Sequence, residues 1–273
     1  MQHGDFIPNG PALQPRVIPA INRIGLLTLI KKEVGRFINV YTQTIIAPVV
    51  TTMLYYAIFA LAFGGVAQTV GGMPYMTFLA PGLIMMTMVQ NSFANTSSSI
   101  VIAKVQGNIV DVLMPPISAG ELFTGYMVGG VIRGLIVGFV CAVAVWIFVG
   151  LEIHALWAVA LYAILGNMML SSLGLAAGIW SEKFDHIAAV TNFIVTPLTF
   201  LSGTFYSAQQ LPGIWNTLVH YNPFFYMIDG FRYGFIGHAD GSLVAGIAAL
   251  VIINIALGAL SFWMLRTGYK IKS

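Results

Sequence analysis

The stretch 37-FINVYTQTIIAPVVTTMLYYAIFALAFGGVAQTVGGMPYMTFLAPGLIMMTMVQNSFANTSSSIVIA-103 runs for 67 residues without one Asp, Glu, Lys, Arg or His. A hydrocarbon core about 30 Å thick takes roughly 20 apolar residues as helix, so this block holds two crossings and a short turn. Charge-free runs return at 134–151, 153–181 (one histidine inside), 187–228 (again one) and 241–265. Soluble domains carry about a quarter of their residues as charges; this chain carries 8%. It reads as a polytopic, all-α membrane protein.

Composition narrows the reading further. With 58% hydrophobic residues and a mean hydropathy of +0.86, the length is one membrane-embedded domain rather than one or two soluble ones. Cys141 is the only cysteine and sits in an apolar run, which leaves no disulfide framework and no thiol metal site. The net charge of +3 is small, and the basic residues gather near the chain ends, a pattern of membrane orientation and not of nucleic-acid binding. The first twenty residues hold Pro8, Pro11, Pro15 and Pro19 without an apolar stretch, so no signal peptide is expected and the amino terminus is expected in the cytoplasm. No G-x-x-x-x-G-K-[ST], G-x-S-x-G or H-E-x-x-H motif occurs.

Working outward from the opening block, residues 1–36 form an amino-terminal segment. Within it Leu27, Ile30, Val34 and Phe37 recur at helical spacing, with Arg23, Lys31, Lys32, Glu33 and Arg36 on or near the other side. This predicts an amphipathic helix in the inner interface, starting at Pro19. A single transmembrane domain then covers 37–265, with spans at about 37–63, 75–103, 119–150, 155–180, 187–205 and 242–265, and 266–273 is a cytoplasmic tail. Gly64-Gly65 and 71-GGMP-74 make the first outer turn. Of twelve Lys and Arg residues only Arg232 falls in an outer segment, as the positive-inside rule requires for six spans with both termini inside. Arg133 lies about 27 Å of helix from Leu151, at ~1.5 Å per residue. It is expected to snorkel to the inner boundary.

Three kinds of feature bear on function. Repeated G-x-x-x-G spacing at Gly125, Gly129/Gly130, Gly134 and Gly138, and again at Gly174/Gly178, predicts close packing between helices of one chain. Uncharged polar and aromatic stripes mark the first span (Tyr41, Pro48, Thr52, Tyr55, Phe59), the second (Asn91, Asn95, Ser98/Ser99) and the fifth (Asn192, Thr196, Thr199). Such groups are costly against lipid, so they face other helices or line a path for an amphiphilic substrate; both readings stand. No Asp, Glu or His lies where an ion-coupled transporter keeps its relay. No histidines share metal-ligand spacing. The outer loop collects His220, Asp229, Arg232, His238 and Asp240, which reads as a solvated interfacial segment with an Asp229–Arg232 pair.

The most specific pattern is 200-FLSGTFYSAQQLPGIWNTLVHYNPFFYMIDGFRYGFIG-237. It is aromatic and broken at Pro212 and at Asn222-Pro223, and it predicts two short helices dipping into the outer leaflet, with their rings at headgroup depth. Here the chain resembles the permease subunits of ABC type 2 exporters, in particular small bacterial inner-membrane permeases. The resemblance is carried by Ser202-Gly203, Phe205-Tyr206, Leu211-Pro212, Asn222-Pro223-Phe224 and Gly230-Phe231-Arg232-Tyr233 through Gly237. Lys32-Glu33, Arg36, Pro48 and 79-LAPG-82 with Met85-Met86 extend it over nearly the whole chain.

That resemblance implies a homodimer in the bacterial inner membrane, surrounded by membrane lipids and served by two copies of a separate ATPase. ATP and Mg would be bound by that ATPase, and no cofactor by this chain. It also implies re-entrant outer helices before the sixth span and a coupling helix after the second. The loop Lys104 to Ser118, with Asp111, Val112 and Glu121 just beyond, is expected to meet the ATPase together with Glu182 and Lys183 of the loop 181–186. The rival readings are a stand-alone channel or secondary transporter and, less well matched, a membrane enzyme acting on lipids.

Overall fold

The structure, a computed structural model, describes residues 21–63, 69–70 and 72–271. The expected helix start at Pro19, the Gly64-Gly65 and Gly71 parts of the first turn, and Lys272 lie outside the described residues. The helices are α1 (Arg23–Ile38), α2 (Ala47–Phe63), α3 (Tyr75–Val105), α4 (Ile109–Leu113), α5 (Ala119–Val149), α6 (Leu156–Trp180), α7 (Phe184–Val190), α8 (Thr196–Phe200), α9 (Ile214–Tyr221), α10 (Pro223–Ile236) and α11 (Leu243–Thr267). A π-helical turn, Thr42–Ile46, leads into α2, and another, Thr191–Val195, joins α7 to α8. Two-residue strands, β1 (Thr69–Val70) and β2 (Met73–Pro74), pair antiparallel with Thr69 opposite Pro74.

Local chemistry sets these boundaries. Asn22 caps α1 by accepting from the Gly25 amide at 2.9 Å. Ser118 and Glu121 form a capping box that starts α5. Asn222 caps α10 from the residue before its first-turn proline, accepting from the Phe224 amide at 3.0 Å. Gly150, Gly237 and Gly268 end α5, α10 and α11 in the left-handed region, with φ of 64°, 70° and 68°, where a side chain would be strained.

Among the described residues, four helices are long and apolar enough to cross a membrane: Thr42–Ala62, Ala119–Val149, Leu156–Trp180 and Leu243–Thr267. α3 has the length but is diluted by its polar run from Gln90 to Ser99, and the fifth predicted span is the three-piece segment α7–π turn–α8, which stops at Phe200. α3 is the centre of the bundle. It packs on α5 and α6, while α10 lies against both α3 and α6, α11 covers α6, and α1 lies along α5. Leu79, Ile84, Val89, Val137, Tyr162, Leu170 and Met227 are buried at these seams.

The small-residue stripes do close this bundle. The space a side chain would need at Gly134 is filled by Asn167 and Ser92, at Gly138 by Met88, and at Gly125 by Leu29; Gly174 and Gly178 meet the α3 backbone at Phe93 and Ser97. The phase of α1 differs from the predicted one. Its buried residues are Leu29, Glu33 and Phe37, and Leu27 is 56% exposed. Glu33, assigned to the polar side, turns inward because a polar stripe on α3 meets it there.

Candidate functional site

The polar stripes of the first and fifth spans divide into an inward and an outward set. Thr52 is buried: its hydroxyl lies 2.8 Å from the Pro48 carbonyl and 2.7 Å from Thr87 Oγ1, with the buried Cys141 thiol 3.8 Å away. Thr199 is buried too and donates to the Val195 carbonyl at 2.6 Å. Tyr41, Tyr55 and Asn192 are exposed, and Thr196 is half-buried. Phe59 stacks on Phe205 (ring centroids 4.9 Å apart), and Phe205 on Phe200 (5.1 Å), so side chains link α2 and α8 at the end where α3 begins.

The α3 stripe is not brought onto that face. Asn91 and Asn95 are buried inside the single chain, where they meet two arginines. Arg133 Nη2 donates to Asn91 Oδ1 at 2.9 Å. Its expected snorkelling is therefore corrected: the guanidinium is buried between α5 and α3, because a neutral amide there supplies an acceptor. Arg36 Nη2 donates to the Asn95 carbonyl (2.7 Å), to Asn95 Oδ1 (3.0 Å) and to Glu33 Oε2 (3.2 Å), and Nη1 to Ser98 Oγ (3.2 Å). Ser99 Oγ donates to Glu33 Oε1 at 2.7 Å. Glu33, Arg36 and Arg133 thus build a joint of α1, α3 and α5 that sequence reasoning missed. Its signal was the match between 32-KEVGR-36 and the hydroxyl and amide run 91–99.

The end of the bundle where α3 finishes carries the predicted coupling residues. Asp111, Glu182 and Lys183 are exposed and Val112 is half-buried on α4. Lys104 instead caps α6, its ammonium donating to the carbonyls of Ile179 and of Ser181 (3.1 Å). Glu121 is buried. It accepts from Ser118 N (2.7 Å), Ser118 Oγ (2.9 Å) and the Asn22 amide, which ties the start of α1 to the start of α5. Glu182 pairs with Lys270 at 3.0 Å, and that hydrogen bond holds its carboxyl below the usual carboxylate range.

At the opposite end, the segment predicted to lie outside forms the two short helices expected, α9 and α10, with the break at Asn222-Pro223. Pro212 and Gly213 make the turn into α9, and Gly237 closes α10. α10 is packed into the bundle along most of its length. Phe224, Phe225, Phe231 and Phe235 are buried in the bundle, and so are Asp229 and Arg232. Nor do Asp229 and Arg232 pair with each other. Arg232 Nε donates to the Phe78 carbonyl (3.2 Å) and Nη2 to those of Gly203 (2.7 Å) and Thr204 (3.5 Å), with the guanidinium 3.8 Å over the Phe78 ring. Asp229 accepts the amides of Asp240 and Gly241, each at 2.9 Å. Asp240 in turn accepts from Ser207 Oγ at 2.7 Å and the Ala208 amide at 2.9 Å. The charges clamp the segment 201–241 to the start of α3 because backbone groups, not solvent, satisfy them.

A bundle of apolar helices with α1 laid along α5, a short α4 in the loop after α3 and a folded-back α9–α10 pair is the architecture of a membrane permease. Comparison with known proteins gives the family. The ABC-2 type transporter profile matches residues 25–236. The chain is 39% identical to the inner membrane transport permease YadH of Escherichia coli K12 over 92% of its own length and 98% of that protein. It is 24% identical to nodulation protein J of Sinorhizobium fredii over 77% of its length and 81% of the relative. This chain belongs to the ABC-2 type transporter family, whose permeases are the membrane subunits of ABC transporters, partner an ABC ATPase and reside as multi-pass proteins in the bacterial inner membrane.

Proposed function

We propose that this chain is the permease of an ATP-driven exporter that works as a homodimer with two copies of a separate ATPase. It would move an amphiphilic, lipid-linked, glycan or drug-like substrate outward along the facing first and fifth spans. The single observation that carries this reading is a contrast between exposed surfaces. On α11 the exposed side chains from Val244 to Trp263 are all apolar, among them Val251, Ile252, Ile255 and Leu260, which suit lipid. On α2, its π turn and the 191–200 segment, Tyr41, Gln43, Thr51, Tyr55 and Asn192 stand among apolar neighbours. Uncharged polar groups in that position favour a second copy or a hydrated route over hydrocarbon.

Asn192→Cys on a Cys141→Ser background, oxidised in native membranes, should form a covalent dimer, and inserted Thr196→Arg protein should lose transport. A charge at a helix centre costs about 2.5–3.5 kcal/mol on insertion scales, so insertion is measured in parallel. An Asn192→Cys chain that stays monomeric, or an inserted Thr196→Arg chain that transports normally, removes this face from the route.

A further inference from the structure

A cleft of about 600 Å³ opens between α1, the last turns of α3, α4 and the start of α5. Its two walls differ in charge. The α1 wall carries Lys32 and Arg36, the α4 wall carries Asp111, Ser99 lies between them, and Leu29 and Val112 contribute apolar surface. Lys32 is only loosely engaged: its ammonium is 3.9 Å from Glu33, and its side chain is half exposed. Arg36 is fixed by Asn95, Ser98 and the Glu33 carboxylate (3.2 Å), and its Nε has no partner among the described residues. α1 also exposes Ile24, Leu27 and Ile38 beside exposed Lys31 and Lys32. A helix that shows apolar and ammonium groups together belongs at the junction of hydrocarbon and water, so the cleft opens at headgroup level.

We infer that this cleft binds a zwitterionic bilayer phospholipid, a phosphoethanolamine head with its acyl chains. The phosphate takes the fixed charges of Lys32 and Arg36, the primary ammonium takes the carboxylate of Asp111, and the glycerol and upper chain lie on the apolar wall. Phosphatidylglycerol, whose only charge is its phosphate, offers Asp111 a neutral hydroxyl in place of the ammonium, and a cationic head without a phosphate leaves the α1 wall unanswered. Charge-assisted hydrogen bonds at both ends therefore select the zwitterion. This inference does not rest on the proposed transport route, from which the cleft is separate.

The full chain in mild detergent, titrated with phosphatidylethanolamine or phosphatidylglycerol of identical chains and read by native mass spectrometry, tests it. One phosphatidylethanolamine per chain should be held at least about tenfold more tightly than phosphatidylglycerol, about 1.4 kcal/mol. Asp111→Asn should abolish that preference. Lys32→Gln should weaken both lipids and keep their order. Both side chains are exposed enough for the variants to fold. Equal retention of the two lipids, as for adventitious annular lipid, overturns the inference, as does an Asp111→Asn chain that keeps the preference. Glycerophosphoethanolamine, the head without chains, should fail to compete at equal concentration; if it competes fully, the ligand is a soluble phosphate ester and the bilayer assignment falls.

Discussion

Arg232 shows how a cation is kept inside this bundle with no carboxylate in direct contact. Its planar fork reaches main-chain carbonyls in two separate segments while its face rests on Phe78, a geometry that the tetrahedral ammonium of lysine does not reproduce. Arg133 uses a side-chain amide in the same way. Arg133→Met and Asn91→Leu, made singly and together, should show a coupling energy of about 1.5–3 kcal/mol, the range for hydrogen bonds to charged groups. Unfolding of the solubilised chain measures it; strictly additive single effects mean that the bond does not form. Hydropathy placed both arginines at a membrane edge because it weighs each residue alone. Asn91, Phe78 and Gly203 are 42, 154 and 29 residues away in sequence, and nothing local announces that they supply acceptors. Glu33 was misplaced for the same reason, whereas Asn222, Ser118 and Gly237 were readable because their partners lie within three or four residues.

At the scale of elements, the first and fifth spans share a device. The π turns Thr42–Ile46 and Thr191–Val195 are each followed by a proline, Pro48 and Pro197, at the same offset. In each, the amide after the turn reaches back five residues, Ala47 to Thr42 and Thr196 to Thr191. A proline supplies no amide and crowds the carbonyl four residues back, and one extra residue in the turn relieves that crowding while leaving later side chains in phase. Deleting Ile194 should therefore cost far less folded yield than a deletion in an ordinary helix, because later side chains keep their phase and only the relief of the Pro197 contact is lost. Deleting Leu173 from α6 should abolish folded yield, because every later residue turns by about 100°. Size-exclusion profiles of the two solubilised variants decide the matter; equal loss in both refutes the π-turn account. Helix ends were legible to within a few residues from charges, glycines and prolines. The phase of α1 and the burial of α10 in the bundle were not. Apolar side chains on those helices are equally at home against lipid or protein, and only the assembled neighbours α3, α5 and α6 choose between them.

Taken whole, the bundle carries the α4 loop proposed for coupling at one end and the folded-back α9–α10 segment at the other. At the first, α4 projects Asp111 while Glu121 and Lys104 hold the frame behind it. Replacing Asp111 with Ala and Val112 with Asp together should leave the permease inserted and the ATPase bound or nearly so, yet cut transport per ATP hydrolysed severely. Paired transport and phosphate-release assays on the reconstituted complex read this ratio, and an unchanged ratio takes α4 out of coupling. At the second end, α10 lies against α3 and α6 although the ribosome makes it after both. The nascent permease therefore passes through a stage in which its early helices are already in the bilayer around an unfilled seam. The Phe78, Gly203 and Thr204 carbonyls then still await an arginine that has not been synthesised. Only when residues 223–236 arrive, in the last fifth of the chain, can the seam close.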